Sequence, residues 1–181
     1  MDEPQEPAAR PRKSAVTPDY LWRAATHYLE RYASSRGNLK RILERKAARR
    51  FVLREEEPRD VSGPIEEVLD RLTELKLLDD AGFAEAKLAS LRRRGASRRQ
   101  AEARLRQKGV DRQTLEGALA ADETSEEEAA RAYARRRRLG PWRTRERGER
   151  RDRDLAAMIR AGFSFEVAAP VIDGAAEDAF S

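Results

Sequence analysis

Arginine side chains are the groups in this sequence whose type and spacing could do chemistry. Residues 92–108 hold eight basic residues and one acidic residue, and residues 131–153 hold eleven arginines and three acidic residues. The planar guanidinium group binds phosphate or carboxylate through two parallel hydrogen bonds. The two clusters therefore predict a surface for nucleic acid or for an acidic groove in a protein. The candidate residues are Arg92, Arg93, Arg94, Arg98, Arg99, Arg104, Arg106, Lys108, Arg135, Arg136, Arg137 and Arg138.

The charge of the chain is segregated along its length. Residues 111–128, between the two basic clusters, hold seven acidic residues and one basic residue. Blocks of alternating sign repel like surfaces and steer association toward a partner with a matching pattern. The competing interpretation is that arginine-rich helices only reflect the base composition of the genome and form a solvated surface.

Catalytic and metal chemistry have little support in the sequence. There is no cysteine, and the single histidine, His27, falls between the apolar positions of its helix. The serines lack a placed histidine or lysine partner, the acidic runs are explained as solvated helix surface, and no glycine-rich loop could hold a phosphate. We therefore expect no enzymatic activity, no metal, no cofactor and no small-molecule substrate.

Composition limits the architecture and the cellular setting. Of the 181 residues, 39% are charged, 39% are hydrophobic and 6% are aromatic, against typical values of about 25% charged and 45–50% apolar. So little apolar surface cannot form one thick core, but it can fill narrow seams between helices. No apolar run approaches the roughly 20 residues of a membrane span, and the acidic start has no apolar stretch of a signal peptide. We expect a cytoplasmic protein that does not enter membranes.

Apolar residues recur with the period of an α-helix, and no segment alternates with a period of two. Thr17 and Pro18 predict the start of the first helix. Its apolar stripe is Leu21, Ala24, Ala25, Tyr28, Leu29 and Tyr32. Later helices are predicted to begin at caps and to end at glycines. The predicted caps are Ser35, Asp79 or Asp80, Ser97, Asp111, Ser125 and Ser164, and the terminating glycines are Gly95, Gly109 and Gly162. The pattern predicts an all-α fold.

An internal repeat follows from placing Gly109 over Gly162, an offset of 53 residues. Apolar residues then coincide in the pairs Leu105 with Met158, Val110 with Phe163, Ala118 with Val171, and Leu119 with Ile172. We therefore predict tandem three-helix repeats stacked into an elongated, curved rod. The units are 17–78 with an insert at 51–63, 79–121 and 122–174, between a disordered tail at 1–16 and a second tail at 175–181. The alternative is a single compact helical bundle.

The ordered motifs resemble the RecX family of regulators of the bacterial recombinase RecA. The densest stretch is residues 69–119, LDRLTELKLLDDAGFAEAKLASLRRRGASRRQAEARLRQKGVDRQTLEGAL. The family pattern includes the leucine run that ends in Asp79 and Asp80, the RRG at 93–95 and the LRQKGV at 105–110. The pattern at 20–43 and the GFSFEV at 162–167 resemble the first and third units of the family, so the resemblance covers most of residues 18–173.

The resemblance implies a non-enzymatic regulator that binds RecA, above all its filament on single-stranded DNA. Family members lie in the groove of the filament and inhibit ATP hydrolysis, filament growth and strand exchange in recombination and the SOS response. Direct DNA contact by the arginines stays open. The alternative is a general nucleic-acid-binding helical protein that uses its arginine-rich faces. The helix pair 97–119 superficially resembles a helix-turn-helix, but Asp111 and Glu116 suit its second helix poorly to the major groove.

Three departures from the family pattern affect the outer units. The first unit lacks the Lys-Gly-apolar junction and carries the acidic insert instead. Pro170 falls inside the predicted last helix, where the missing N–H is expected to kink or shorten it. The connector at 140–148 is unusually rich in arginine.

Overall fold

The structure, a computed structural model, describes residues 15–174. Those residues form helices and no strands, which confirms the all-α prediction. The helices are α1 (Pro18–Leu29), α2 (Arg36–Arg54), α3 (Ser62–Glu74), α4 (Asp80–Arg93), α5 (Arg98–Gln107), α6 (Arg112–Ala120), α7 (Glu126–Arg137), α8 (Arg151–Arg160) and α9 (Phe165–Asp173), with a 3₁₀ turn at Gly140–Trp142. The predicted tail 175–181, and residues 1–14 of the other, lie outside the described residues. None of the described helices is long and apolar enough to span a bilayer.

Short polar side chains begin six of the described helices where the sequence predicts them. Each accepts a hydrogen bond from the backbone N–H three residues later, which satisfies a donor that the first helical turn leaves unpaired. These caps are Thr17, Asp79, Ser97, Asp111, Ser125 and Ser164. Glu128 also accepts from the backbone N–H of Ser125, so this pair forms a complete capping box.

The described residues divide into two compact bodies, and the first consists of residues 15–34 and 38–78. Its core takes apolar residues from all three helices, including Leu21, Leu43 and Ile65. Arginines stack on its aromatic rings: the guanidinium of Arg50 lies 4.5 Å from the ring centre of Tyr20. The side chains of α1, α2 and α3 therefore form one hydrophobic core, with cation–π contacts at its border.

Two predicted boundaries of the first unit are wrong. Phe51, predicted to begin the insert, is buried in the core, and α2 continues to Arg54. The helix continues because Phe51 follows Ala47 by four residues and extends the same buried stripe. Val16, predicted to lie in the disordered tail, is buried as well, and its carbonyl accepts a hydrogen bond from Arg59.

The second body, residues 35–37 and 79–174, contains two hydrophobic clusters. One is formed by α4, α5 and α6, and the other by α7, α8 and α9. Every residue of the four apolar pairs predicted at an offset of 53 is buried. Gly109 and Gly162 both take a positive φ, at 74° and 93°. The two three-helix segments therefore repeat one plan, as the sequence predicts.

The turn between α4 and α5 packs tightly within this body. Gly95 has a φ of 81°, and a Cβ added to it would lie 2.3 Å from the backbone nitrogen of Tyr133 in α7. Two residues later, the buried hydroxyl of Ser97 donates to the carbonyl of Ala161 across 2.7 Å. The turn is thus held against α7 and against the α8–α9 turn, which fixes where α5 begins.

A second buried polar contact organises the connector before α8. Asp154 is buried and accepts from the backbone N–H of Gly140 at 2.9 Å and from two nitrogens of Arg143 at 3.0 and 2.5 Å. Burial alone would raise the pKa of Asp154, but the bonds from Arg143 and Gly140 outweigh it and hold the pKa below its ordinary value. Arg143 of the arginine-rich connector is therefore a structural residue. Pro170 was expected to kink or shorten the final helix, but the helix continues through Pro170 and ends at Asp173.

We expect Gly95→Ala to destabilise the protein by about 2–4 kcal/mol, because the added Cβ meets the backbone of α7 and the positive φ is unfavourable for alanine. Gly117→Ala is the matched control: Gly117 is exposed within α6, and an added Cβ there meets nothing within 4 Å. The control should gain up to about 1 kcal/mol. Urea unfolding followed by circular dichroism measures both, and equal stabilities of the two variants would contradict the close packing.

We expect Asp154→Asn to lose about 2 kcal/mol or more at pH 7, since it leaves Arg143 without its charged partner. The folded pKa of Asp154 lies below the unfolded value, so its contribution is complete above about pH 5 and fades as the pH falls through the folded pKa. The gap between wild type and variant in urea unfolding should therefore narrow in acid. The exposed Asp152→Asn is the control without effect, and a gap independent of pH would refute the assignment.

Candidate interaction surface

The central group of predicted binding residues lies at the end of α4 and along α5. Seven of its eight members are exposed, as a binding surface requires: Arg93, Arg94, Arg98, Arg99, Arg104, Arg106 and Lys108. Within residues 15–174, the side chains of Arg93, Arg94 and Arg99 form no hydrogen bond or ion pair. These guanidinium groups are therefore available to an anionic partner without the loss of an internal contact.

Arg92 does not belong to this surface, which corrects the sequence-based assignment. Its side chain is 2% exposed and donates four hydrogen bonds inside the protein. Its Nε donates to Asp122 at 2.8 Å and its Nη1 to Glu126 at 2.6 Å. Further bonds reach the carbonyls of Ala96 and Thr124. Arg92 is thus a structural residue whose charge is compensated by two carboxylates.

The bonds of Arg92 fix the position of its exposed neighbours. They join the last turn of α4 to the loop before α7 and to the first residue of α7, Glu126. The carboxylate of Glu126 also accepts from the backbone N–H of Arg98 at 3.2 Å. The chain between Arg92 and Arg98 is therefore held at both ends, so Arg93, Arg94 and Arg98 project from a fixed turn.

The remaining basic residues of α5 divide between two flanks of the helix. Ala101 and Leu105 face the core. Arg99 and Arg106 are seven residues apart and share one flank, while Arg104 and Lys108 are four apart and share the other. Arg106 also pairs with Glu102 across 2.5 Å. The predicted cluster is therefore not one continuous patch. Arg99 lies beside the next unit, next to Gly162.

The second predicted group, Arg135 to Arg138, is exposed at the end of α7. Cations in this position complement the helix dipole, which is a structural reason for their presence. The guanidinium of Arg136 lies 5.9 Å from the ring centre of Tyr133. The backbone of Tyr133 packs against Gly95, so Tyr133 is the shared neighbour of both predicted groups. We call the exposed residues Arg93, Arg94, Arg98, Arg99 and Arg136 the junction arginines.

Two exposed apolar side chains near the α8–α9 turn were missed by the sequence reasoning. Ile159, whose spacing fits an apolar stripe with Leu155 and Met158, is 49% exposed, and Phe165 is 57% exposed. The repeat contains a signal that could have found them, because the offset of 53 places them over Arg106 and Arg112. Both arginines are exposed, so both apolar residues stand at surface positions.

We expect Arg92→Met to destabilise the protein by about 3–5 kcal/mol, because Asp122, only 4% exposed, would keep a buried charge without a partner. The matched control is Arg93→Met, one residue further on and exposed, which should change stability by less than about 0.5 kcal/mol. Adding Asp122→Asn to Arg92→Met should recover part of the loss. If Arg92→Met and Arg93→Met unfold at the same urea concentration, the buried ion pairs do not hold this turn.

Known proteins share both the sequence and the arrangement of these helices. The family model described as RecX, second three-helix domain, matches residues 79–119, from the cap of α4 to near the end of α6. The regulatory protein RecX of Myxococcus xanthus is 45% identical over 168 residues, which cover 91% of this chain and 89% of that protein. The regulatory protein RecX of Thermobifida fusca is 38% identical over 139 residues, which cover 74% of each.

Solved structures agree on the fold. The crystal structure of RecX from Lactobacillus salivarius matches with a TM-score of 0.61 at 18% identity, over 86% of this chain and 94% of that one. A further crystal structure of regulatory protein RecX matches with a TM-score of 0.62 at 19% identity, over 86% of this chain and 71% of that one. These matches confirm the all-α helical repeat. Together with the sequence relatives, they show that this chain belongs to the RecX family of regulatory proteins.

Proposed function

We propose that this protein binds RecA, above all the RecA filament on single-stranded DNA, and inhibits ATP hydrolysis, filament growth and strand exchange. It acts as a regulator of recombination and of the SOS response in the cytoplasm and catalyses no reaction itself. The family membership supports the partner. The observation that carries the proposal is the group of junction arginines, exposed around a turn that Arg92 and Gly95 hold in place.

The chemistry of the junction arginines suits carboxylates on a protein partner. A guanidinium group that is exposed and without an internal partner gains one or two charge-assisted hydrogen bonds when it meets a carboxylate. Because the backbone of the turn is already fixed, binding costs less ordering than it would for a mobile loop. Charge steering would speed the encounter and make its rate sensitive to salt.

A filament offers the same site many times, which suits a protein built from repeated units. Each three-helix unit presents its own exposed side chains, so one molecule could contact successive protomers. Several weak contacts linked in this way bind far more tightly than each does alone, provided that the spacing allows them to engage together. We therefore expect binding to the assembled filament to exceed binding to free RecA.

The helix-turn-helix alternative receives little support from the same region. In α6, which would have to read the bases, Arg112 donates to Glu116 at 2.7 Å and is thereby neutralised. Asp111 caps the helix at the end that would enter the groove. Helices that read the major groove present donors and cations at that end.

The test is a charge reversal of the junction: Arg93→Glu, Arg98→Glu and Arg99→Glu together. We expect at least a tenfold rise in the concentration that half-inhibits the single-stranded-DNA-dependent ATPase of RecA, since three attractive contacts become repulsive. Pulldown with RecA, with and without single-stranded DNA and a non-hydrolysable nucleotide, measures binding directly.

The control carries the same change in charge at exposed arginines elsewhere: Arg31→Glu, Arg145→Glu and Arg153→Glu. It should inhibit RecA at concentrations close to those of the wild type. Circular dichroism should show both triple variants to be folded. Full inhibition by the folded junction variant would refute the junction arginines as the RecA contact, and a wild-type protein that neither binds RecA nor slows its ATPase would refute the function itself.

A further inference from the structure

Helix α2 of the first body carries a charge pattern that the proposed RecA contact does not use. Its 19 residues include eight basic residues and one acidic residue, Glu44. The core face of the helix is formed by residues at a spacing of four: Leu39, Leu43, Ala47 and Phe51. A helix with one narrow apolar stripe and many cations elsewhere has a strongly basic outer surface.

Arginines repeat on the outer face with the same spacing as the core residues. Arg41, Arg45 and Arg49 are all exposed. Each lies two residues from the nearest core positions, about 200° around the helix, so the row runs directly opposite the buried stripe. With a rise of 1.5 Å per residue, neighbouring arginines are about 6 Å apart along the axis, and the whole row is about 12 Å long.

Three basic residues on the other faces of α2 are engaged inside the first body. Arg50 stacks on Tyr20, Lys40 pairs with Glu66 at 2.5 Å, and Arg54 pairs with Glu56. These contacts give those residues a structural reason to be basic.

Three of the remaining cations of α2 have no such explanation. Among residues 15–174, the side chains of Arg45, Lys46 and Arg49 have no hydrogen-bond or ion-pair partner. The one acidic residue of the helix, Glu44, borders a cleft of about 320 Å³ together with Phe51 and Pro58. The charges of Arg45, Lys46 and Arg49 are therefore not neutralised by the described part of the protein.

A row of cations on a straight helix face matches a linear polyanion better than a folded protein surface. Nucleic-acid interfaces are more polar and much more positively charged than protein–protein interfaces. Ala48, which lies between Arg45 and Arg49 along the chain, is exposed and small enough to allow a phosphate backbone to approach. The planar guanidinium group of arginine also binds phosphate through two parallel hydrogen bonds.

We propose that the outer face of α2, formed by Arg41, Arg45 and Arg49 with Lys46 beside them, binds the phosphodiester backbone of a nucleic acid strand. The contact is electrostatic and reads no bases, so it adds affinity without sequence preference. It is separate from the junction arginines, which face the protein partner.

The test is the double variant Arg45→Glu and Arg49→Glu in the full chain, with fluorescence anisotropy of labelled oligothymidine as the readout. We expect affinity to fall at least tenfold at low salt. The slope of log affinity against log salt should become shallower by about 1.4, since two phosphate contacts are lost at about 0.7 per contact on single strands. Arg45→Lys with Arg49→Lys keeps the charge and should retain most of the affinity.

The matched control is Arg23→Glu with Arg31→Glu, which changes the charge of the same body equally at exposed positions on and after α1. It should keep most of the affinity for oligothymidine; equal losses in both variants would overturn the site in favour of net charge. Unchanged affinity for oligothymidine in the α2 variant would also overturn the site. So would an α2 variant that loses binding to polyglutamate but keeps its affinity for oligothymidine, because that result would assign the face to an acidic protein. The same anisotropy measurement with duplex DNA and with RNA identifies the preferred nucleic acid.

RecA binding without DNA separates this proposal from the proposed function. The α2 variant should bind free RecA as the wild type does, whereas the junction variant should lose RecA and keep its affinity for oligothymidine. An α2 variant that lost free RecA would show that this face contacts the protein, and the proposal would fail while the RecA function stood.

Discussion

The burial of one guanidinium group fixes the geometry on which the exposed arginines depend. Arg92 gives up its hydration, and a buried charge is tolerated only when it is paired and hydrogen-bonded. Asp122 and Glu126 supply the charge, and two backbone carbonyls accept further bonds. Because these groups come from α4, the loop before α7 and α7 itself, all three hold one arrangement. The ion pairs therefore contribute position as well as stability, and the neighbouring arginines are presented at a defined place.

The second and third units each contain one buried ion that orders an irregular segment, and the two ions have opposite charges. In the second unit the buried ion is the cation Arg92, and in the third it is the anion Asp154, bound by Arg143 and the N–H of Gly140. Each ion orders an irregular segment through hydrogen bonds to its backbone. The helices of the two units repeat, whereas the polar contacts that order their connections differ.

Much of the fold was predictable because helix ends follow local rules. A cap such as Asp111 or a terminating glycine such as Gly109 acts within one turn of chain, so the sequence alone contains the signal. The extension of α2 to Phe51 was missed because a charged run looked like a loop, although the buried stripe continued through it. The burial of Arg92 was missed because its two carboxylates are 30 and 34 residues away, and composition treats every arginine as a surface residue.

The exposure of individual residues was harder to predict than the existence of the helices. Ile159 fits an apolar stripe by its type, but only the packing of α8 decides which side of the stripe is covered. The repeat offset carries that information, because the partner position holds Arg106. For the basic candidates, the sequence could not distinguish buried structural cations from exposed ones.

The two hydrogen bonds of the Ser97 hydroxyl limit which residues can occupy this position. The hydroxyl accepts a hydrogen bond from the N–H of Gln100 and donates its own proton to the carbonyl of Ala161, so one atom both starts a helix and fastens it to the following unit. Aspartate would cap as well but, when ionised, has no proton to give, and alanine offers neither bond. Among the genetically encoded residues, only a hydroxyl-bearing side chain of this length serves both partners, and Gly162, pressed against the oxygen, leaves little room for anything larger.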